Sequence, residues 1–212
     1  MTAVNQKLSR ISQRSQTRRE TYLAAAREVF LEKGFSAASV EDIHARVGGS
    51  KATLYSMFGN KQGLFEAMIS EMLGESYQSL GIPEVADADM EGTLVGIGVR
   101  FVEQFLAPQR LALQRAVIAE SVRFPHLAEH FYASGPQGGL RALENYFLLQ
   151  RAEGRMIFED ARPLAMYFMD IIKGRIQARA LLGLLPRPTA EEIQVYVTGA
   201  VKVFLHGCAA PQ

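Results

Sequence analysis

Residues 39–58 read SVEDIHARV, then GG, then SKATLYSMF, from Ser39 to Phe58. Ser39 can cap a helix start, with Asp42 three residues on as the reciprocal partner of a capping box. The apolar side of that first helix is Val40, Ile43 and Val47. Gly48 and Gly49 break it and supply the backbone freedom of a tight turn. Ser50 caps a second short helix, Lys51 to Phe58, anchored by Leu54 and Phe58. Two short helices around such a turn have the spacing of a helix-turn-helix, although an ordinary helical hairpin has the same outline.

The outward side of the second helix reads Ser50, Lys51, Ala52, Thr53, Tyr55 and Ser56. Lys51 can neutralise a phosphate, while Ser50, Thr53 and Tyr55 can donate to phosphate oxygens. Ala52 offers a methyl surface to thymine, and Ser56 can meet several base edges. Lys61 opens the following helix within reach of a nucleic-acid backbone. The free amides after Ser39 and Ser50 add anion affinity. The short second helix has no Arg, Asn or Gln, so bidentate reading of guanine or adenine is not open to it. Specificity should then lean on phosphate geometry, methyl contacts and DNA shape.

Working outward, helical periodicity dominates. Residues 18–32 place Tyr22, Ala26, Val29 and Phe30 on one stripe, and Gly34 stops that helix. A long helix from about Lys61 to Leu80 carries Leu64, Phe65, Met68, Met72 and Leu73, and Gly81-Ile82-Pro83 ends it. Further helices are predicted near 89–106, 109–122, 125–134, 137–153, 163–183 and 190–206, punctuated by prolines. Thr189 and Glu192 form a second capping box. No strand pattern of useful length appears. The expectation is an all-α protein of about nine helices. Residues 1–17 should form a flexible basic arm, 18–62 a helix-turn-helix domain, and 63–212 a larger ligand-binding and dimerisation domain, with helix 61–80 joining the last two.

Charge follows the same division. Residues 1–61 carry a net +5 and the remainder −4, hidden in an overall +1. A basic front and an acidic rear suggest that only the front meets a polyanion. The arm with Lys7, Arg10, Arg14, Arg18 and Arg19 either reaches phosphates or a minor groove, or is a solvated tail. The single cysteine, Cys208, excludes an intrachain disulfide; it is a buried or fraying thiol, or half of a two-chain redox switch. With no apolar leader and no uninterrupted apolar run of roughly 18 residues, a soluble, cytoplasmic protein without membrane contact is expected.

The segments 164–172 and 193–205 are apolar almost all the way round. Burial from two sides follows, one by the chain's own core and one by a second copy of the chain. The pattern His126-x-x-Glu129-His130 could hold zinc with a glutamate base, or be two histidines and an acid at a helix start. It is the motif on which a metal-binding or enzymatic alternative would rest. Gly92, Gly96 and Gly98, on a helix with Phe101 and Phe105, either allow close packing or make room for a ligand.

Residues 20–68, through F30-x3-GF35, the SVEDI start at Ser39, SKATLY from Ser50 to Tyr55, and Phe58 with Asn60-Lys61 and Leu64, resemble the N-terminal domain of the TetR family of bacterial regulators. The runs RAVIAESVRFPHLAEHFYASGP and DARPLAMYFMDIIKGRIQARALLG resemble the C-terminal domain of its AefR-like branch. The resemblance implies a homodimer joined by the helices near 163–183 and 190–206. It also implies DNA contacts at Lys51, Thr53, Tyr55 and Lys61. Gly49 stands where the family usually has an apolar turn residue, so a looser turn is expected. The whole points to a non-enzymatic repressor of a pseudopalindromic double-stranded operator, released by a small apolar effector, with no cofactor or metal. Candidate effector contacts are Phe101, Phe105, Tyr132, Phe147 and Met169.

Overall fold

The computed structural model describes residues 3–78, 80–86, 88–184 and 186–207. Cys208 lies outside the described residues. Among those described there are ten helices and no strand. They are α1 (Ala3–Ala37), α2 (Val40–Val47), α3 (Lys51–Phe58), α4 (Lys61–Gln78), α5 (Met90–Phe105), α6 (Pro108–Glu120), α7 (Pro125–Ser134), α8 (Pro136–Ala152), α9 (Ala161–Leu181) and α10 (Ala190–His206). No helix among the described residues is long and apolar enough to cross a membrane.

Both predicted capping boxes form, at Ser39–Asp42 and at Thr189–Glu192. The front of the chain departs from expectation. Residues 3–17, expected as a flexible arm, are helical and continuous with α1. No glycine or proline interrupts that stretch, and Gln16 bonds Glu20 one turn on at 2.9 Å. Helix therefore propagates from the packed part of α1. Gly34, at φ 78°, breaks it where the sequence placed the stop.

Contacts divide the chain into two compact units: Met1–Glu71 with Ala116–Phe131, and Met72–Arg115 with Tyr132–Gln212. The first unit is thus discontinuous in sequence. Its core is built on Tyr22, Leu23, Val29 and Phe30 of α1, Ile43 of α2, Leu54 of α3, and Leu64 and Phe65 of α4, all at least nine-tenths buried. Phe65 meets Phe30 edge-on at 4.9 Å and Phe35 at 5.0 Å. Phe35 in turn meets Phe124 at 5.0 Å, which ties in the segment after α6.

In the second unit α5 packs on α10 and α8 on α9. Gly98 allows the first of these: a Cβ there would lie 2.6 Å from Val197 Cγ1 and 3.6 Å from Ile172 Cγ2. Close packing, rather than room for a ligand, is what this glycine provides. Gly98→Val should destabilise the protein by about 1–3 kcal/mol through overpacking, read as a lower urea midpoint at unchanged slope; an unchanged midpoint would mean that α5 and α10 can part freely. α9 bends at Gly174, and the Tyr196 hydroxyl donates to the Ile171 carbonyl there at 3.3 Å. One side of α9 and α10 is buried through Phe168, Ile172, Val197 and Val201. The other exposes Met166, Tyr167, Val195 and Val203.

Candidate nucleic-acid interface

Ser39 Oγ accepts from the Asp42 amide at 3.0 Å, and the Asp42 carboxylate accepts from the Ser39 amide at 3.0 Å. Lys33 reaches the same carboxylate at 2.8 Å. The Lys33 hydrogen bond, with those from Ser39, holds the Asp42 carboxyl down from the ordinary 3.8 to about 2. A depressed carboxyl stabilises the fold fully above its unfolded value and progressively less as pH falls from about 4 to about 2. An acid titration of the unfolding midpoint should show this loss. In Asp42→Asn that part of the acid limb should vanish, and an unaltered limb would place the titration elsewhere.

α2 gives way to α3 through Gly48 and Gly49, both at positive φ (69° and 93°). Arg18 of α1, which the sequence placed at the edge of the basic arm, closes this turn. Its guanidinium donates to the Gly48 carbonyl at 2.7 Å and lies 5.2 Å from the centre of the Tyr22 ring. A Cβ built on Gly49 would fall on that guanidinium. The turn is therefore held, whereas the absence of the family's usual apolar residue predicts a looser one. Only the adjacent glycine pair could have signalled a space reserved for another side chain.

α3 presents two sides. Leu54 and Phe58 are buried, and the Phe58 ring meets Tyr22 edge-on at 6.3 Å. Lys51, Ala52, Tyr55 and Ser56 are exposed, with Tyr55 45% exposed, and Thr53 is half-buried. Ser50 Oγ accepts from the Ala52 amide at 3.2 Å and fixes the helix start. Lys51 pairs with Glu41 of α2 at 2.9 Å. Both groups are exposed, so the pair contributes little and opens readily to a stronger anion.

Lys61 is placed differently from the others. Its ammonium donates to the carbonyls of Phe35 (2.9 Å) and Ala38 (3.1 Å) and sits 4.6 Å from the centre of the Phe35 ring. It satisfies the carbonyls freed by the break at Gly34. Glu120 secures the same turn from the amide side, accepting from Ser36 N at 2.8 Å and Ser36 Oγ at 2.7 Å. Burial alone would raise the Glu120 carboxyl, but the two Ser36 bonds with Arg123 and Lys61 outweigh it and hold it below its ordinary value. Much of the front half's positive charge is likewise engaged within the unit: Arg27 pairs with Glu71, and Arg46 with Glu28 and Glu32.

Residues 23–68 match the family model for bacterial regulatory proteins of the tetR family. Residues 92–208, more than half of the chain, match the model for the AefR-like transcriptional repressor C-terminal domain. The chain belongs to the TetR family. Among curated proteins, the uncharacterised regulator YvkB of Bacillus subtilis is 28% identical over 161 residues, covering 76% of this chain and 82% of YvkB. Among solved structures, the flavonoid-responsive regulator FrrA is 32% identical, with a TM-score of 0.76 over 91% of this chain and 97% of FrrA. A TetR-family structure from Mesorhizobium loti superposes with a TM-score of 0.82 at 24% identity, over 91% and 96% of the two chains. This TetR-family protein is thus a DNA-binding transcriptional regulator.

The remaining sequence candidates separate in the TetR-family fold. Phe147 and Met169 are buried in the second unit's core, and Phe101 and Phe105, stacked at 6.0 Å, pack against it. Tyr132 does not join them: it is 48% exposed on α7. The histidines of the H-x-x-E-H pattern take unrelated partners. His126 packs edge-on to Phe124 at 6.1 Å, and His130 Nε2 lies 2.9 Å from Ser70 Oγ and 3.0 Å from the Glu66 carbonyl. No group of three metal-ligating side chains is assembled among the described residues.

Proposed function

We propose that this regulator is a homodimeric repressor whose two α3 helices enter successive major grooves of a pseudopalindromic operator, about 34–36 Å apart. The observation that carries the reading is the two-sidedness of α3: Leu54 and Phe58 are buried while Lys51, Ala52, Tyr55 and Ser56 face out. Lys51 leaves Glu41 for a phosphate. Ser50, Thr53 and Tyr55 bind phosphate oxygens, and Ala52 and Ser56 meet base edges. Ser39 and Lys61 act at the margin, through the amides after the Ser39 cap and by fixing the start of α4. The partner copy covers Met166, Tyr167, Val195 and Val203, an apolar set on α9 and α10 that solvent disfavours.

The effector in this reading is a small, apolar, uncharged molecule bound in the second unit among Phe101, Phe105, Phe147 and Met169. FrrA, by its name, responds to flavonoids, which favours an aromatic ring system here. Its binding shifts α4, which contributes residues to both units, and operator affinity falls. Selection of genomic fragments by the full-length protein, followed by challenge with flavone, tests this. Enrichment of an inverted repeat and its release by flavone are expected. Absence of any enriched sequence would overturn the operator reading, and retention of the DNA under saturating flavone the choice of effector.

A further inference from the structure

Apart from tyrosines, the one polar side chain buried among the described residues is that of Gln150, fully buried on α8. Neither its Nε2 nor its Oε1 has a hydrogen-bond partner among the described residues. A primary amide in that state is costly to keep. The helical pattern asks for an apolar residue: Leu140, Leu143 and Phe147 occupy the same buried stripe. One turn back, Phe147 stacks on Phe204 at 5.7 Å and meets Phe168 edge-on at 6.1 Å. Gln150 also lies near the end of its helix. The Arg155 amide of the following loop donates to the Gln150 carbonyl at 2.9 Å, so the residue is one turn from a surface loop.

We infer that the Gln150 amide is the hydrogen-bonding element of a ligand site in this core, and that the ligand is a neutral ring compound carrying a carbonyl or a hydroxyl. The inference rests on the effector-responsive reading above. An amide offers donors to a ketone and an acceptor to a phenol, and the Phe147, Phe168 and Phe204 rings offer apolar faces. No Lys, Arg or His is buried in this core among the described residues. A carboxylate or phosphate buried beside Gln150 would stand uncompensated, which disfavours an anionic head group at this amide.

The test compares the full-length protein with Gln150→Leu in equilibrium dialysis against three probes. Flavone is an uncharged aryl ketone, 2-phenylnaphthalene has the same ring outline without oxygen, and dodecanoate is an anion. The wild type should prefer flavone to the hydrocarbon by at least about tenfold and leave dodecanoate unbound. Gln150→Leu should bind the two ring compounds equally, and without ligand it should melt above the wild type. Gln150→Met, an unbranched apolar replacement, gives the same comparison if leucine does not fold. A variant that keeps the preference overturns the role of Gln150, as does a wild type that binds both ring compounds alike. A variant that melts lower overturns it too, because a buried water or a neighbour would then satisfy the amide. A wild type that binds dodecanoate overturns the neutral class, and one that binds no probe overturns the choice of an aromatic effector on which the inference rests.

Discussion

Replacing Lys51 and Tyr55 together by alanine should lower operator affinity by about 30-fold or more at moderate salt, with the protein still folded and dimeric. Losses of roughly 1–3 kcal/mol are usual for a side-chain contact to DNA, so the pair together loses about 2–6 kcal/mol, which is about 30-fold at the least. Neither side chain supports the core: Tyr55 is 45% exposed, and the Lys51 ion pair with Glu41 is open to solvent. The two single variants should separate by mechanism. Lys51→Ala should weaken all sequences alike and reduce the slope of log affinity against log salt by about 1. Tyr55→Ala should leave that slope closer to its wild-type value. Fluorescence anisotropy at three or four salt concentrations resolves both, with light scattering to verify the dimer. Wild-type affinity in the double variant would mean that another surface reads DNA.

Gly49→Val should be the most damaging single change outside the apolar cores. At φ 93° a β-branched residue is strained, by roughly 1–3 kcal/mol. Its Cβ would also displace the Arg18 guanidinium and break the bond to the Gly48 carbonyl. Arg18 is long and can swing away, so the backbone strain, rather than the overlap, sets most of the cost. For a chain of this size that corresponds to a fall in melting temperature of about 2–4 °C per kcal/mol. Operator affinity should fall by more than tenfold, since the turn fixes the angle at which α3 leaves α2. Arg18→Ala keeps the glycine pair unstrained and should melt between the wild type and Gly49→Val. If Gly49→Val binds and melts like the wild type, the turn is not a determinant of either property.

What the sequence makes legible is local. Ser39 and Asp42, or Thr189 and Glu192, lie three residues apart, so a capping box is complete within one helical turn of sequence. The alternation of buried and exposed residues along α3 is equally short-ranged. The features that the sequence does not disclose join distant residues. Arg18 is 30 positions from the Gly48 carbonyl it holds, and Glu120 is 84 from Ser36. Lys61 looks, by position and charge, like a phosphate contact, yet its ammonium serves carbonyls more than 20 residues earlier. Tyr132 looks like a pocket aromatic because α7 carries a mixed pattern, and only the packed chain shows it facing out. The charge of residues 3–17 suggests an arm, whereas their lack of helix breakers accords with the helix that forms. Gln150 offers no sequence signal either, because an amide in an apolar stripe is visible only once the stripe is known to be enclosed.

Segment 116–131 bears on how this protein can be engineered. A DNA-reading module cut after α4 would lack Leu127, which is fully buried, the Phe124 ring against Phe35, and the Glu120 carboxylate on Ser36. A graft of residues 1–71 onto the sensor half of a relative would inherit a borrowed wedge in that place, matched to someone else's hollow. Chimeras intended to exchange operator preference should therefore carry two pieces, 1–71 and 116–131, as one transplant.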